Sequence, residues 1–233
     1  MVKNEQDFLN FFKTPDYWET YGQYNIPKLN GIKLRNKNAI RLENFNTAYQ
    51  IPVEKRKDYT VHFFLADYLF ERTWTRAKQT CEYLQGFKAC LSPDFSQYTD
   101  IPKAMRIWNQ YRKMWVSKYW QDNGIWVIPT ACWSDEDSFD YCFDGMPKDS
   151  LIAVSTVGVA KDPETIELFL QGYEKMKEVL QPSDILWYGK MLDIEDDVIH
   201  VPHINDEKFK RLSTEKQLNK MKIAQSQRLM LKE

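Results

Sequence analysis

The chain has 233 residues, 43% hydrophobic and 28% charged, with Lys plus Arg 32 against Asp plus Glu 33. That length suits one domain with an apolar core large enough to need no disulfide or metal, and the charge balance excludes a whole-chain basic field for nucleic acid. Aromatic residues reach 15%, with 8 Trp, 13 Tyr and 13 Phe, while glycine is scarce at 8, which excludes collagen-like, low-complexity and Gly-rich phosphate-loop chains.

In chain order, the opening MVKNEQDFLNFFKTPDYW has no basic stretch followed by an apolar run, so it does not read as a signal peptide. No segment approaches the 18 or so apolar residues that span a membrane. Residues 1–37 are polar and aromatic without a clear period and are expected to wrap the first strands. Residues 38–46 supply a possible strand, and Tyr59–Tyr68 (YTVHFFLADY) is a firmer one, rich in β-branched and aromatic residues. WTRAKQTCEYLQG has helical spacing through Trp74, Ala77, Cys81 and Leu84, with Gly86 as its C-cap. FKACLSPDFS is a brief strand followed by Pro93 and Asp94. A long helix starts near Pro102, carries Met105, Trp108, Tyr111, Trp115 and Tyr119 at helical spacing, and stops at Asn123-Gly124. GIWVIPTACW is a strand, SDEDSFDYCFDGM opens like a capped helix, and LIAVSTVGV is a strand. A helix follows from Pro163, then a strand at Asp184–Lys190 and another possible one at Asp197–His203. Residues 206–233 hold eight Lys or Arg and four Asp or Glu and are expected to form a basic terminal helix or tail, appended to a single β/α domain over 1–205.

The strands are continuous apolar runs, which means burial on both faces and a parallel sheet covered by helices. With crossovers of about 20–30 residues, six or seven strands point to an irregular or incomplete TIM-like barrel, with an open doubly wound sheet as the alternative. No G-x-G-x-x-G and no G-x-x-x-x-G-K-[ST] occurs, so the usual dinucleotide and P-loop signatures are missing. Cys81, Cys90, Cys132 and Cys142, spaced 9, 42 and 10 apart, match no zinc pattern and read as reduced, mostly buried thiols of a cytosolic protein. His62 lies between apolar residues and reads as buried and hydrogen-bonded, with catalysis the alternative.

In either architecture a site forms beyond the carboxyl ends of the strands. The first full strand delivers Asp67 with Arg72 behind it; the second, Asp94 and Ser96; the third, Trp133; the fourth, Ser155; the fifth, Tyr188 and Lys190. Asp67, Asp94 and Lys190 are the candidate catalytic residues, and Arg72, Ser96, Trp133, Ser155 and Tyr188 the candidate substrate contacts. Two carboxylates at one mouth can act as acid and base, as nucleophile and acid, or can hold a divalent cation. Lys190 or Arg72 can hold an anion. Each Asp also fits a capping role, and Arg112 fits half of an ion pair. The helical aromatics Trp108, Tyr111, Trp115, Tyr119 and Trp120 read as a core face, with a stacking platform as the sharper alternative.

HFFLADYLFERTW, LSPDFSQYTDIP, IWNQYRKMW, GIWVIPTACW, FDYCFDG, AVSTVGV and WYGK occur in one order and spacing. Together they resemble the family called domain of unknown function 4417, over about residues 24–190. The resemblance implies a cytoplasmic protein of phages, plasmids or integrative elements, and it supplies no mechanism. The succession SPDFS, VIPTACW, AVSTVGV, WYGK is also similar in layout to base-exchanging transglycosylases, which are β/α barrels with a catalytic carboxylate after an early strand. Asp94 takes that position here, although the Cys/His zinc cluster and the Gly-rich substrate loop of those enzymes are missing. The expectation is an enzyme acting on nucleic acid or nucleotides, with a non-enzymatic binder of nucleic acid or of a host or phage protein as the alternative.

Overall fold

A computed structural model describes residues 14–34, 40–159 and 162–203. The expected basic segment 206–233 lies outside the described residues. Seven parallel strands carry the fold. β3 (Leu42–Asn44), β4 (Thr60–His62), β5 (Ala89–Leu91) and β6 (Val127–Ile128) follow a small antiparallel pair, β1 (Thr20–Tyr21) and β2 (Ile26–Pro27). β7 (Leu151–Ser155), β8 (Asp184–Tyr188) and β9 (Ile199–Val201) form a second parallel sheet. A parallel bridge from Thr130 to Ala153 joins the two, so neighbours run in chain order from β3 to β9. Both of the uncertain strand segments, before Tyr59 and after Asp197, therefore exist.

The in-order pairing has no reversal of the kind a doubly wound sheet needs. The barrel expected was irregular or incomplete; among the described residues no pairing closes β9 onto β3, and the strands form parallel sheets of four and three. The sheet nonetheless curls. The Tyr188 ring at the end of β8 stacks on Phe64, just past β4, with centroids 5.1 Å apart and planes 15° apart, and lies 4.5 Å from the His62 ring.

Why the strands are apolar without a break is visible in β7 and β8. Leu151 and Ala153, with Leu186 and Tyr188, point into the core shared with β4, β5 and β6. The alternate residues Ile152, Val154, Ile185 and Trp187 point to the other face. That face is covered by α4 (Pro163–Leu180) through Phe169, Tyr173, Met176 and Leu180. Period-two alternation with both faces buried gives a run with no polar position. Each large apolar side chain buried this way contributes about 1.5–3 kcal/mol. α4 is capped at its start by Asp162, whose carboxylate accepts from the Thr165 amide at 2.9 Å, with Pro163 in the first turn.

Two expected helices are altered. The first breaks at Arg76, which leaves helical geometry (φ −139°, ψ 47°), giving α1 (Arg72–Thr75) and α2 (Ala77–Leu84). The Thr80 hydroxyl bonds the Arg72 carbonyl at 3.2 Å, which also accepts from the Arg76 amide at 2.9 Å. The capped helix expected after Ser134 is only a 3-10 turn, Glu136–Asp140. Ser138 closes it locally: its hydroxyl donates to the Asp135 carbonyl at 2.6 Å and accepts from the Ser134 amide at 3.1 Å. The long helix α3 (Lys103–Asp122) stands as expected and ends at Gly124, whose φ of +81° suits glycine. Residues 14–34 lie along α3 and reach β7: Trp18 donates to Asp122 at 2.6 Å, the Asn30 amide to Gln121 at 2.9 Å, and the Leu151 amide to the Ile32 carbonyl at 2.8 Å.

Candidate functional site

The carboxyl ends of β4 to β7 surround a cavity of about 380 Å³, at the lower end of the range typical for small-molecule sites. Phe64, Phe95, Trp133 and Phe169 give it aromatic walls, and Ser96, Gln97, Ser134 and Ser155 give it polar edges. Among the described residues, Asp94, Cys132 and Tyr98 are the titratable groups of its lining, and no Lys, Arg or His is among them. Other concavities lie near Trp126 and on the outer face of α4, away from the strand ends.

The loop after β5 is held in place residue by residue. Asp67, in the turn after β4, accepts from the Ser96 hydroxyl at 2.7 Å and from its amide at 3.1 Å. Asn109 of α3 donates to the Ser96 carbonyl at 2.6 Å. Arg112 lies over the Phe95 ring at 3.7 Å, pairs with Glu71 at 2.7 Å, and approaches Asp67 at 4.0 Å. Gln97 donates to the Arg106 carbonyl at 2.9 Å and accepts from the Tyr141 hydroxyl at 3.2 Å. Arg106 in turn bonds Ser134 and pairs with Asp135 at 2.7 Å, tying the β5 loop to the β6 loop. This network fixes the floor of the cavity and the direction of Asp94.

Asp94 is answered only in part: the Cys132 thiol meets its carboxyl, while its Oδ1 is buried and has no hydrogen-bond partner. Burial pushes its carboxyl up to about 6; the Lys113 charge and the Cys132 thiol oppose the rise and the Asp67 carboxylate adds to it. The Cys132 sulfur lies 3.7 Å from the Phe95 carbonyl and 3.8 Å from the Lys113 ammonium. Burial holds that thiol well above its usual range, with Lys113 opposing, so it is not a resting thiolate. Among the described residues no group of three or more His, Cys, Asp or Glu is placed to hold a metal ion. Asp94 therefore offers a lone, buried acceptor or acid, suited to an N–H or N: edge of a flat ligand.

Comparison with known proteins places the chain. The family described as Domain of unknown function (DUF4417) matches residues 18–210. The chain belongs to this family. Two relatives are each called Gene 1 protein. That of Mycobacterium phage L5 is 36% identical over 196 residues, covering 82% of this chain and 80% of that protein. That of Mycobacterium phage D29 is 32% identical over 204 residues, covering 82% of this chain and 74% of that protein. No solved structure matches. The DUF4417 match spans every residue of the cavity.

Of the residues singled out from the sequence, Asp94, Ser96, Trp133 and Ser155 line the cavity. Trp133 is seated by glycine: a Cβ on Gly172 of α4 would lie 2.1 Å from its indole nitrogen. Asp67 stands behind the wall, bonded to Ser96. Tyr188 is buried against Phe64 and His62. Arg72 lies over the Phe45 ring at 4.5 Å, outside the lining. Lys190 is exposed, and it is its carbonyl that turns inward, accepting from Thr156 at 2.8 Å and Trp187 at 3.1 Å. Those two cations are thus not brought to Asp94. Arg112 is half of an ion pair as expected. His62 is buried, accepts from the Phe64 amide at 3.3 Å, and is pushed down to about 3 by burial and by His203. Of the helical aromatics on α3, Trp115 and Trp120 are buried and Tyr111 and Tyr119 pack partly buried against the core, while Trp108, stacked on Tyr111, is exposed.

Cys132 and Lys113 carry chemistry that the sequence reading passed over. Their signal was present: Cys132 follows Thr130 by two residues at a strand end, and Lys113 shares a helix face with Arg106, Asn109, Gln110 and Ser117. All of that face is buried.

Proposed function

We propose that the chain is an enzyme of phage nucleic-acid or nucleotide metabolism that takes a heterocyclic base into the cavity at the strand ends and acts on it through Asp94. The observation that carries this reading is the buried, unpartnered Asp94 oxygen at the floor of an aromatic-walled cavity. A buried acceptor without a partner costs stability, and a base edge would supply the missing donor. A carboxyl near 6 is populated in both forms close to neutral pH, as general acid or base chemistry requires. With no cation among the described lining residues, the apolar walls suit a base better than the phosphates of a nucleotide or strand. The likeness in layout to base-exchanging transglycosylases favours a second role for the same group. The Asp94 carboxylate attacks the anomeric sugar carbon as the glycosidic C–N bond breaks, and the base leaves with the bonding pair and takes a proton from water. An incoming base or water then displaces the carboxylate. The in-order parallel strands support reading the fold as an opened, incomplete β/α barrel, where sites of this kind sit.

One fact favours the alternative of a binding module: neither Asp67 nor Lys190 joins Asp94 in the cavity, so a second acid–base group is not at hand. Incubation with labelled single- and double-stranded nucleic acid, with and without Mg²⁺, separates the readings. The enzyme reading expects base release or exchange that Asp94→Asn lowers about 100-fold or more. Stoichiometric binding without turnover supports the binder, and neither binding nor turnover overturns both.

A further inference from the structure

We propose that Lys113 is a positioning residue for this site, holding the Asp94 carboxyl in its charged form across the Cys132 thiol. The inference rests on the reading of Asp94 given above. Lys113 is 1% exposed, and its ammonium makes its one hydrogen bond among the described residues to sulfur, at 3.8 Å from Cys132. No carboxylate of the described residues pairs with it directly, whereas Arg106 and Arg112, on the same helix, each have one within 2.7 Å. A buried cation without an oxygen partner is costly and calls for a charge nearby. That charge is Asp94: its carboxyl feels the Lys113 charge and meets the same Cys132 thiol that Lys113 bonds.

The arrangement has a consequence that direct pairing would lack. A lysine bonded to Asp94 would occupy the carboxyl and close it to a ligand. With Lys113 bonded to the thiol and not to the carboxylate, it favours the charge on Asp94 while Oδ1 stays without a partner. Among the described residues the groups acting on Asp94 are Lys113 from α3, Cys132 from the segment after β6, and Asp67 from the turn after β4. Asp67 works against the charge, and it is itself engaged with Ser96 and Arg112. Lys113 is thus the cation of the described residues that offsets burial and Asp67.

The test needs no ligand. Carbon-detected NMR titration of the side-chain carboxyls, with Asp94 assigned by its loss in Asp94→Asn, gives its midpoint in folded protein. The midpoint is expected near 6 in the wild type and unchanged in Lys113→Arg. It should rise in Lys113→Met by about one pH unit or more, the low end of what a close opposite charge does to a carboxyl. A midpoint that does not move in Lys113→Met overturns the proposal. Lys113→Gln serves if methionine is not tolerated, with the same expectation. Melting temperatures at pH 8 give a second readout: Lys113→Met should destabilise more in the wild type than in the Asp94→Asn background. Equal losses in the two backgrounds contradict the pairing. Failure of base binding would sink the functional reading and leave this titration untouched, so the two are separable.

Discussion

α3 and α4 are both long, both lie against the parallel strands, and bury opposite chemistries. α4 buries Phe169, Gly172, Tyr173, Met176 and Leu180. The first half of α3 buries Arg106, Asn109, Gln110, Arg112 and Lys113, and its second half buries Trp115, Val116 and Trp120. A helix that only covers a sheet needs an apolar stripe. Where a polar face is buried instead, each group must find a partner, and on α3 those partners are the loops that build the cavity. The division shows where the fold gives up packing for a site: at the start of α3, beneath the ends of β5 and β6.

The largest effect should come from the packing side. Trp187→Ala empties the core between β8 and α4 and should cost about 3–5 kcal/mol in chemical denaturation, with only a secondary effect on binding through Phe169, the cavity wall its ring packs against. A loss well below that range would mean that the face of α4 toward β8 is not the packing side of the comparison. Next is Gly172→Ala, which drives a methyl into the Trp133 ring. Overpacking should cost about 1–3 kcal/mol and should weaken binding more than Trp187→Ala does, because Trp133 is itself a cavity wall.

On the polar side, Arg112→Met removes the pair to Glu71 and the plate over Phe95. Since Glu71 is partly exposed, a loss of about 1–2 kcal/mol is expected, with faster hydrogen exchange at the Ser96 amide. Unaltered exchange would show that the loop does not depend on α3.

The smallest effect, and of opposite sign, is that of Asp94→Asn. The folded-state carboxyl near 6 lies above its ordinary value of 3.8, so its contribution is most favourable below about pH 4 and is lost as pH rises through 6. Removing the charge should therefore leave stability similar at pH 4.5 and raise it at pH 8, by about 2 kcal/mol at most. Asp144, also pushed up to about 6 by burial and Asp140, titrates in the same direction but remains in both proteins, so it cancels. A variant less stable than the wild type at pH 8 would show that Asp94 serves the fold.

Much of the architecture was legible because burial leaves a periodic trace. β7 and β8, apolar without a break over Leu151–Val154 and Ile185–Tyr188, announced a parallel sheet, and Pro163 and Asn123-Gly124 marked real helix ends. Closure of the barrel was not legible, since the edges β3 and β9 read like any other short strand. The site was legible in part. A polar residue after an apolar run is visible in one dimension, which found Asp94, Ser96, Trp133 and Ser155. Whether such a side chain turns inward is decided by partners elsewhere in the chain: Ser96 draws Asp67 away, and the Lys190 carbonyl, bonded by Thr156 and Trp187, leaves its ammonium outside. Lys113 was hidden by its neighbours Met114 and Trp115, which made that stretch look like core.

The central claim is that Asp94 and its cavity receive a base. Calorimetric titration of the full chain with free purines and pyrimidines, their nucleosides and a short single-stranded oligonucleotide tests it directly, across pH 5 to 8. The account predicts one-to-one binding of at least one of them, with an affinity that changes through a midpoint near 6 and falls tenfold or so, about 1.4 kcal/mol, in Asp94→Asn. Binding that is indifferent to both pH and Asp94, or no binding by any member of the set, would contradict it.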